Sequence, residues 1–480
     1  MINLIPTPTK CVVQNDQYHG ISHTVCADIA EWQDGASAFC ESVFKIYGVR
    51  VTVGAPGGVE LRMDPTLAAD AYALDSTAGA VVIRASSFEG ACYGLATVLQ
   101  LIEVKNGVLS VQSVAIEDRP EKEYRAFMTD PQWTLQPFSK LLKYVDLCFF
   151  YKVKYLHLHL ADSRHYCYPS KAFPRLNAPG EYYSFEQLAE LNAYAAARGI
   201  LLVPEFECPG HATPLTRVYP DVFANHTDRE GGKFYNELGA EIDPSGLICA
   251  GSACSLEGVK KLIAELVELF PAAPYIHIGG DEAPYQMWEQ CVDCRAYMEK
   301  NGIQSARDLY GEYVGRVASY VFSLGKTPMV WEGFSSESSH YIPKETVVIA
   351  WESHYQTAPE LLRNGFRIIN ASWQPLYFVT SQKRRWNAQD ILNWDVYNWQ
   401  HWWEHSVATL NPIHVAPTEK VLGATLCAWG MEYEQLITRL LENMPAFAER
   451  TWSMERHYDF DTYRHIAEPL CDKAATLIRE

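Results

Sequence analysis

Several function classes leave no mark on this sequence. No uninterrupted apolar segment is long enough to span a bilayer, and no basic start followed by an apolar region marks a secretory leader. A membrane partner is therefore not expected, and a cytoplasmic location is. No run of Lys or Arg forms a basic stripe, and 58 Asp and Glu against 40 Lys and Arg leave a formal charge of −18. Such a surface repels phosphate backbones, so nucleic acid is not an expected partner. The 13 cysteines are odd in number and follow no disulfide framework, which fits reduced thiols. Repeats and low-complexity stretches are missing too. What the chain does have is apolar mass, 48% of 480 residues, enough for a sizeable core and too much for disorder. The length suggests two to four domains, or one large barrel with an appendage. Aromatics reach 12%, with 13 Trp and 28 Tyr, and stacked rings are one way to hold a sugar.

From Arg119-Pro120 onward, short apolar runs alternate with amphipathic stretches. The runs are Tyr124–Asp130, Val153–Asp162, Ile200–Glu207, Tyr275–Glu282, Thr327–Glu332, Thr346–Glu352, Phe366–Trp373 and Val421–Trp429. Each is short and β-rich, as a strand buried on both faces should be. Helical spacing marks Phe138–Tyr151, Ser184–Arg198, Ser255–Phe270 and Ser305–Leu324, three of them opened by Ser. Eight runs separated by helices predict an α/β fold, a (β/α)8 TIM barrel catalytic domain over 119–480. Every run ends in Asp, Glu or Trp, the place where barrel active sites are built. Thr213–Ala253 and Gln374–Lys420 are long and irregular and are expected as loops over the mouth. Residues 1–118 carry strands near 51–53, 81–84 and 108–114 and one helix at 87–103, which predicts a small α+β domain.

The sharpest feature is His277-Ile-Gly-Gly-Asp281-Glu282 at the end of a run. Two glycines let the backbone turn and approach a ligand. Adjacent carboxylates at a barrel mouth raise one pKa, as a general acid near neutral pH requires. A usual retaining glycosidase sets its two carboxylates about 5–5.5 Å apart across the scissile bond. Sequence neighbours do not easily straddle a sugar ring. If Glu282 protonates the leaving oxygen, Asp281 must do something else, and the nucleophile is to be sought in the substrate. The plainer alternative is that both residues cap a following helix.

Tyr275–Ala283 resembles the signature of glycoside hydrolase family 20, the β-N-acetylhexosaminidases. Similarity extends to Val153–Asp162 with Phe173-Pro-Arg-Leu176, to Val203–Ala212, and to Gly423–Trp429 with Ala448-Glu-Arg-Thr-Trp452. It also reaches Ala91-Cys-Tyr-Gly-Leu95 in the small domain, so most of residues 80–455 is covered. The resemblance implies an exo-acting, retaining enzyme that releases terminal N-acetylglucosamine or N-acetylgalactosamine by substrate-assisted catalysis through an oxazolinium, without metal or cofactor. Glu282 would be acid and then base, and Asp281 would orient the 2-acetamido group. Tyr377 would donate to its carbonyl oxygen, and Trp331, Trp351 and Trp429 would wall its pocket. Arg125 would bind ring hydroxyls, and Asp162 and His211 would support Glu282.

Three positions depart from the family pattern: Val379 and Met431 stand where carboxylates are usual, and Asp162 is followed by Ser-Arg-His-Tyr. Glu432, one step beyond Met431, is the candidate replacement. Among Trp394, Trp399, Trp402 and Trp403, a sugar platform and a hydrophobic lid are both open, with Trp394 placed at the sugar and Trp402 and Trp403 at the lid. Two rival functions remain: a metal-dependent barrel hydrolase using His157, His159 and Asp281, and a non-catalytic amino-sugar-binding protein. Cys249, Cys254, Cys291 and Cys294 could hold a structural zinc; the plainer reading is small packed residues on a loop and a helix.

Overall fold

A computed structural model describes residues 2–76, 79–226, 234–235, 241–242, 244–380 and 385–479. The apolar runs become eight parallel strands of a closed barrel. They are β1 (Tyr124–Thr129), β2 (Tyr155–His159), β3 (Leu201–Cys208), β4 (Tyr275–Gly279), β5 (Thr327–Trp331), β6 (Val347–Ala350), β7 (Arg367–Asn370) and β8 (Val421–Trp429). Each pairs with the next in sequence, and β8 closes onto β1. The helices between them include α1 (Phe138–Phe150), α2 (Phe185–Ala196), α3 (Ala253–Leu269), α4 (Val292–Asn301), α5 (Ala306–Ser323) and α6 (Ala358–Arg363), with α7 (Tyr433–Trp452) after β8.

Local chemistry sets the helix starts. Ser184 caps α2 in a reciprocal box with Gln187, and Ser305 caps α5. The expectation for α3 is corrected: it begins at Ala253, and Ser252 is the cap that accepts from the Ser255 amide. Ser255 itself is buried inside the first turn, where a side chain cannot serve as cap.

Strand alternation decides what fills the barrel. Tyr124, Ala126 and Met128 of β1 point inward and pack with Tyr155, Val203, Tyr275, Met329, Val347, Ile349 and Ile369. Tyr124 stacks on Tyr155 with centroids 4.6 Å apart. This apolar plug closes one end, and the opposite, C-terminal end is left for polar side chains.

Alternation also overturns the expected role of Arg125. As the neighbour of two inward residues it points outward, to the junction with the small domain. Its guanidinium donates to Lys152 O (3.2 Å), Lys122 O (2.5 Å) and the Tyr93 hydroxyl (2.5 Å), and it lies over the Trp452 ring at 5.0 Å. Beside it, Lys152 Nζ reaches Asp118 (3.2 Å), and Trp452 Nε1 donates to the same carboxylate (2.9 Å). Arg125 sits at the domain junction and does not line the pocket at the C-terminal end of the barrel.

The preceding residues form an eight-stranded sheet of parallel and antiparallel pairs, with Lys10–Gly20 at one edge, paired to Val108–Asp118, and Thr52–Val53 at the other. Helix Phe88–Leu101, capped by Ser87, is buried along nearly its whole length between strand Val81–Ala85 and α1. In the long segment after β7, Tyr377–Val379 adds a short strand beside β8, and Asn398–Trp399 pairs with Ile413–His414. Of Thr213–Ala253, residues 227–233, 236–240 and 243 lie outside the described ones. No described helix is long and apolar enough to cross a membrane.

Candidate active site

Above the apolar plug, the inward positions of β2, β3 and β4 turn polar. His157, Glu205 and His277 are fully buried there. Glu205 lies 2.9 Å from His157 Nε2 and 2.8 Å from His277 Nδ1, and accepts from Trp331 Nε1 at 2.5 Å. Burial would raise the Glu205 carboxyl, but His277, His159 and His157 hold it well below the usual range. Burial pushes His277 down to about 4, against the raising pull of Glu205.

One layer nearer the mouth, His159 Nδ1 meets Asp130 at 2.9 Å and its Nε2 lies 3.4 Å from Glu207. Burial opposes charge on His159, but Glu205, Asp130 and Glu207 raise its pKa well above the ordinary value. Glu207 moves the other way: burial, then the Asp281 charge, lift its carboxyl well above the usual range. Asp130 also accepts from Gln132 (2.9 Å) and from the Gly430 amide (3.0 Å), which ties β1 to the end of β8.

The carboxylate pair stands at the end of β4. Gly279 and Gly280 take φ of 70° and 90°, and Glu282 itself is left-handed at 44°. Strain of that kind costs on the order of 1–3 kcal/mol and persists where the surroundings dictate it. No helix starts at this pair; the next element is a single turn at Tyr285–Glu289, so the capping alternative is set aside. Asp281 is buried, and its Oδ1 has no hydrogen-bond partner among the described residues. Burial first, then Glu282 and Glu205, raise its pKa to about 7, against the lowering effect of His211. Glu282 has a half-exposed side chain and meets His211 Nε2 at 3.3 Å. His211, also left-handed with φ 52°, is anchored by Asp162 at 2.8 Å. Asp162 and the hydrogen bonds around the ring keep the imidazole charged, against its burial.

Aromatic rings complete the enclosure. Tyr377 stacks on Trp373 at 4.5 Å and 17°, and lies parallel to Trp351 at 6.3 Å. Trp331 stands edge-on to Trp351 (6.2 Å) and 5.8 Å from Trp429. Trp331 and Trp351 are spaced by the buried Glu332, whose carboxylate accepts the amides of Glu352, Ser353, His354, Tyr355 and Gln356. The result is one blind pocket of about 220 Å³ (the space open to the centre of a water-sized sphere). Its lining includes Asp162, His211, Asp281, Glu282, Trp331, Trp351, Tyr377 and Trp429.

Those eight sequence-predicted residues are brought together; three others are not. Arg125 faces the domain junction. Trp394 ends the helix Ala388–Asn393 that packs on α7, donates to Asn398 O (3.1 Å), and is buried away from the pocket. Glu432 occupies the exposed cap position of α7, outside the pocket lining. Trp402 touches the outer side of Trp373 edge-on at 5.8 Å, and Trp403 packs on His354 at 5.3 Å. His157, His159 and Asp281 do not converge: His157 clusters with Glu205 and His277, and His159 with Glu205 and Glu207. Four lining residues were given no place in the sugar site from sequence: His159, Glu207, Trp373 and Val379. The Glu-x-Glu spacing at the end of β3 was the available signal for Glu207, since alternate residues share the inward face.

The model for the catalytic domain of glycosyl hydrolase family 20 matches residues 123–455, and that for domain 2 of the same family matches residues 1–119. A beta-hexosaminidase of Akkermansia muciniphila is 30% identical over 342 residues, covering 67% of this chain and 68% of that protein. The beta-hexosaminidase subunit beta of Mus musculus is 26% identical over 430 residues, covering 86% and 74%. Among solved structures, an exo beta-N-acetylglucosaminidase of Vibrio harveyi in complex with N-acetylglucosamine superposes with a TM-score of 0.85 at 22% identity. It covers all of this chain and 78% of that one.

Proposed function

The chain belongs to glycosyl hydrolase family 20 and is a glycoside hydrolase of the β-N-acetylhexosaminidase kind; we propose that it cleaves single terminal N-acetylhexosamines from a glycan, using the substrate's own acetamide as nucleophile. The carrying observation is Asp281: a buried carboxyl with an unpartnered oxygen, inside a box of rings, next to a half-exposed Glu282. A blind pocket suits a chain end, and a ring-walled one suits an acetamide methyl.

In the proposed sequence Glu282 gives its proton to the glycosidic oxygen as the bond to C1 breaks. The acetamide carbonyl oxygen attacks C1 from the opposite face and closes an oxazolinium. Asp281 accepts the acetamide N–H and balances the positive charge that grows on it; Tyr377 donates to the carbonyl oxygen and sets its direction. Glu282, now ionised, takes a proton from water as that water opens the ring at C1, so the anomeric configuration is retained. His211, held by Asp162, keeps Glu282 in place.

Aryl β-glycosides of N-acetylglucosamine, N-acetylgalactosamine and glucose test the reading, with a thiazoline analogue of the cyclised acetamide as inhibitor. Turnover of the two acetamido sugars alone, blocked by the thiazoline, is expected. Equal hydrolysis of the plain glucoside without inhibition would overturn it.

A further inference from the structure

Three of the 13 cysteines converge at a place the glycosidase chemistry does not use. Cys249 lies in the segment after β3, and Cys291 and Cys294 flank the start of α4 in the segment after β4. All three are buried free thiols. Cys249 Sγ stands 3.7 Å from Cys291 Sγ and 3.7 Å from Cys294 Sγ, and the three sulfurs lie within 4.8 Å of one another. A disulfide would need about 2.05 Å. A tetrahedral zinc with arms of about 2.3 Å sets its sulfur ligands about 3.8 Å apart, close to the observed spacing.

The surrounding backbone is shaped to the cluster. Gly251 runs so close to the second loop that a Cβ there would sit 2.3 Å from Asp293 O and 2.6 Å from Cys294 Cα. The His226 amide donates to Cys291 Sγ at 3.3 Å, a contact that favours a thiolate. The exposed His226 imidazole meets Asp293 through Nδ1 at 2.8 Å and stands outside the three-sulfur cluster. Cys254 is exposed and stands outside the cluster, so the four-thiol set suggested by the sequence is reduced to three.

We propose that Cys249, Cys291 and Cys294 hold a structural zinc as thiolates. Buried cysteines often pack as small apolar residues; here three of them, from two separate segments, bring their sulfurs to one point. The zinc staples together the two segments that carry His211 and the Asp281–Glu282 pair. A second tie, Trp288 Nε1 to Ile248 O at 2.9 Å, crosses the same boundary.

The test is metal content of the protein purified from zinc-supplemented growth, alongside Cys249→Ser, Cys291→Ser, Cys294→Ser and Cys254→Ser. About one zinc per chain is expected in the wild type and in Cys254→Ser, falling roughly tenfold or more in the other three. Should a serine variant fail to fold, the wild type decides alone. Stripped of metal with a thiol-directed mercurial and refilled with cobalt(II), it should show sulfur-to-cobalt charge-transfer absorption and regain the melting temperature that stripping lowered. A wild type without zinc that takes up no cobalt would overturn the proposal. So would zinc retained in all three variants, or Cys249 found in a disulfide by mass spectrometry.

Discussion

The indole nitrogen of Trp331 donates to Glu205 at 2.5 Å, so the ring at the base of the pocket is set by a fully buried carboxylate. Glu205 also meets His157 and His277. Glu205→Ala should therefore lower unfolding free energy by about 3–5 kcal/mol, the cost of breaking a buried charged network. Glu205→Gln, which keeps the volume, should lose less. Denaturant unfolding of both variants checks the order.

Asp281→Asn should cut kcat/KM on aryl N-acetylglucosaminide roughly 10²–10³-fold while the fold persists. Glu282→Gln should lose roughly 10²–10⁴-fold on substrates with poor leaving groups and far less on those with good ones. Steady-state kinetics across a leaving-group series distinguishes the two. Full activity in Asp281→Asn would sink the acetamide mechanism.

Asp281 must be ionised to accept the acetamide N–H, and burial lifts its pKa to about 7. The acidic limb of kcat/KM should therefore rise with an apparent pKa near 7. Stability runs the other way. A carboxyl whose folded pKa exceeds its unfolded value binds more protons when native, so its contribution is greatest below the unfolded pKa and falls as pH climbs to the folded one. Glu332, raised to about 7 by burial, has the same sign. Asp281→Asn should flatten this loss and melt higher than wild type above pH 7, as differential scanning calorimetry can show.

Gly279→Ala places a methyl 1.8 Å from Glu207 Oε2 at a φ of 70°. Overpacking and left-handed strain together should cost about 2–4 kcal/mol and displace Glu207, seen as a lower melting temperature with reduced kcat.

Arg125→Met and Trp373→Ala should separate junction from pocket. The first removes donors to Lys152 O and Tyr93 and should destabilise the protein, with kcat/KM per folded molecule unchanged. The second removes the ring stacked on Tyr377 and should raise KM about tenfold, with a smaller effect on melting. A selective KM increase in Arg125→Met would contradict the junction role.

Much of this site was legible before any coordinates. The Gly-Gly turn marked a backbone that must bend at a strand end, and Asp281 and Glu282 followed it directly. Tyr377, Trp331, Trp351 and Trp429 came from resemblance and do line the pocket. Arg125 came from the resemblance, Glu432 from its place beside Met431 and Trp394 from a tryptophan cluster; none of these signals carries a side chain's direction, and none of the three lines the pocket. Glu207 and His159 were passed over because an acidic or imidazole side chain inside an apolar run looks like packing until its neighbours are known.

The sequence by itself determined the order of strands and helices, because buried parallel strands leave short apolar runs and helices leave a longer period. It also placed the carboxylate pair, because only glycines tolerate the turn that presents it. Tertiary structure decided which face each residue occupies. A strand apolar on both faces carries no alternation to distinguish Arg125 from Ala126, and the one-residue difference sends one to the domain junction and the other into the barrel. It decided, too, that Cys249 joins Cys291 and Cys294 while Cys254 does not. Side chains 42 residues apart meet only when two loops share one end of a closed barrel.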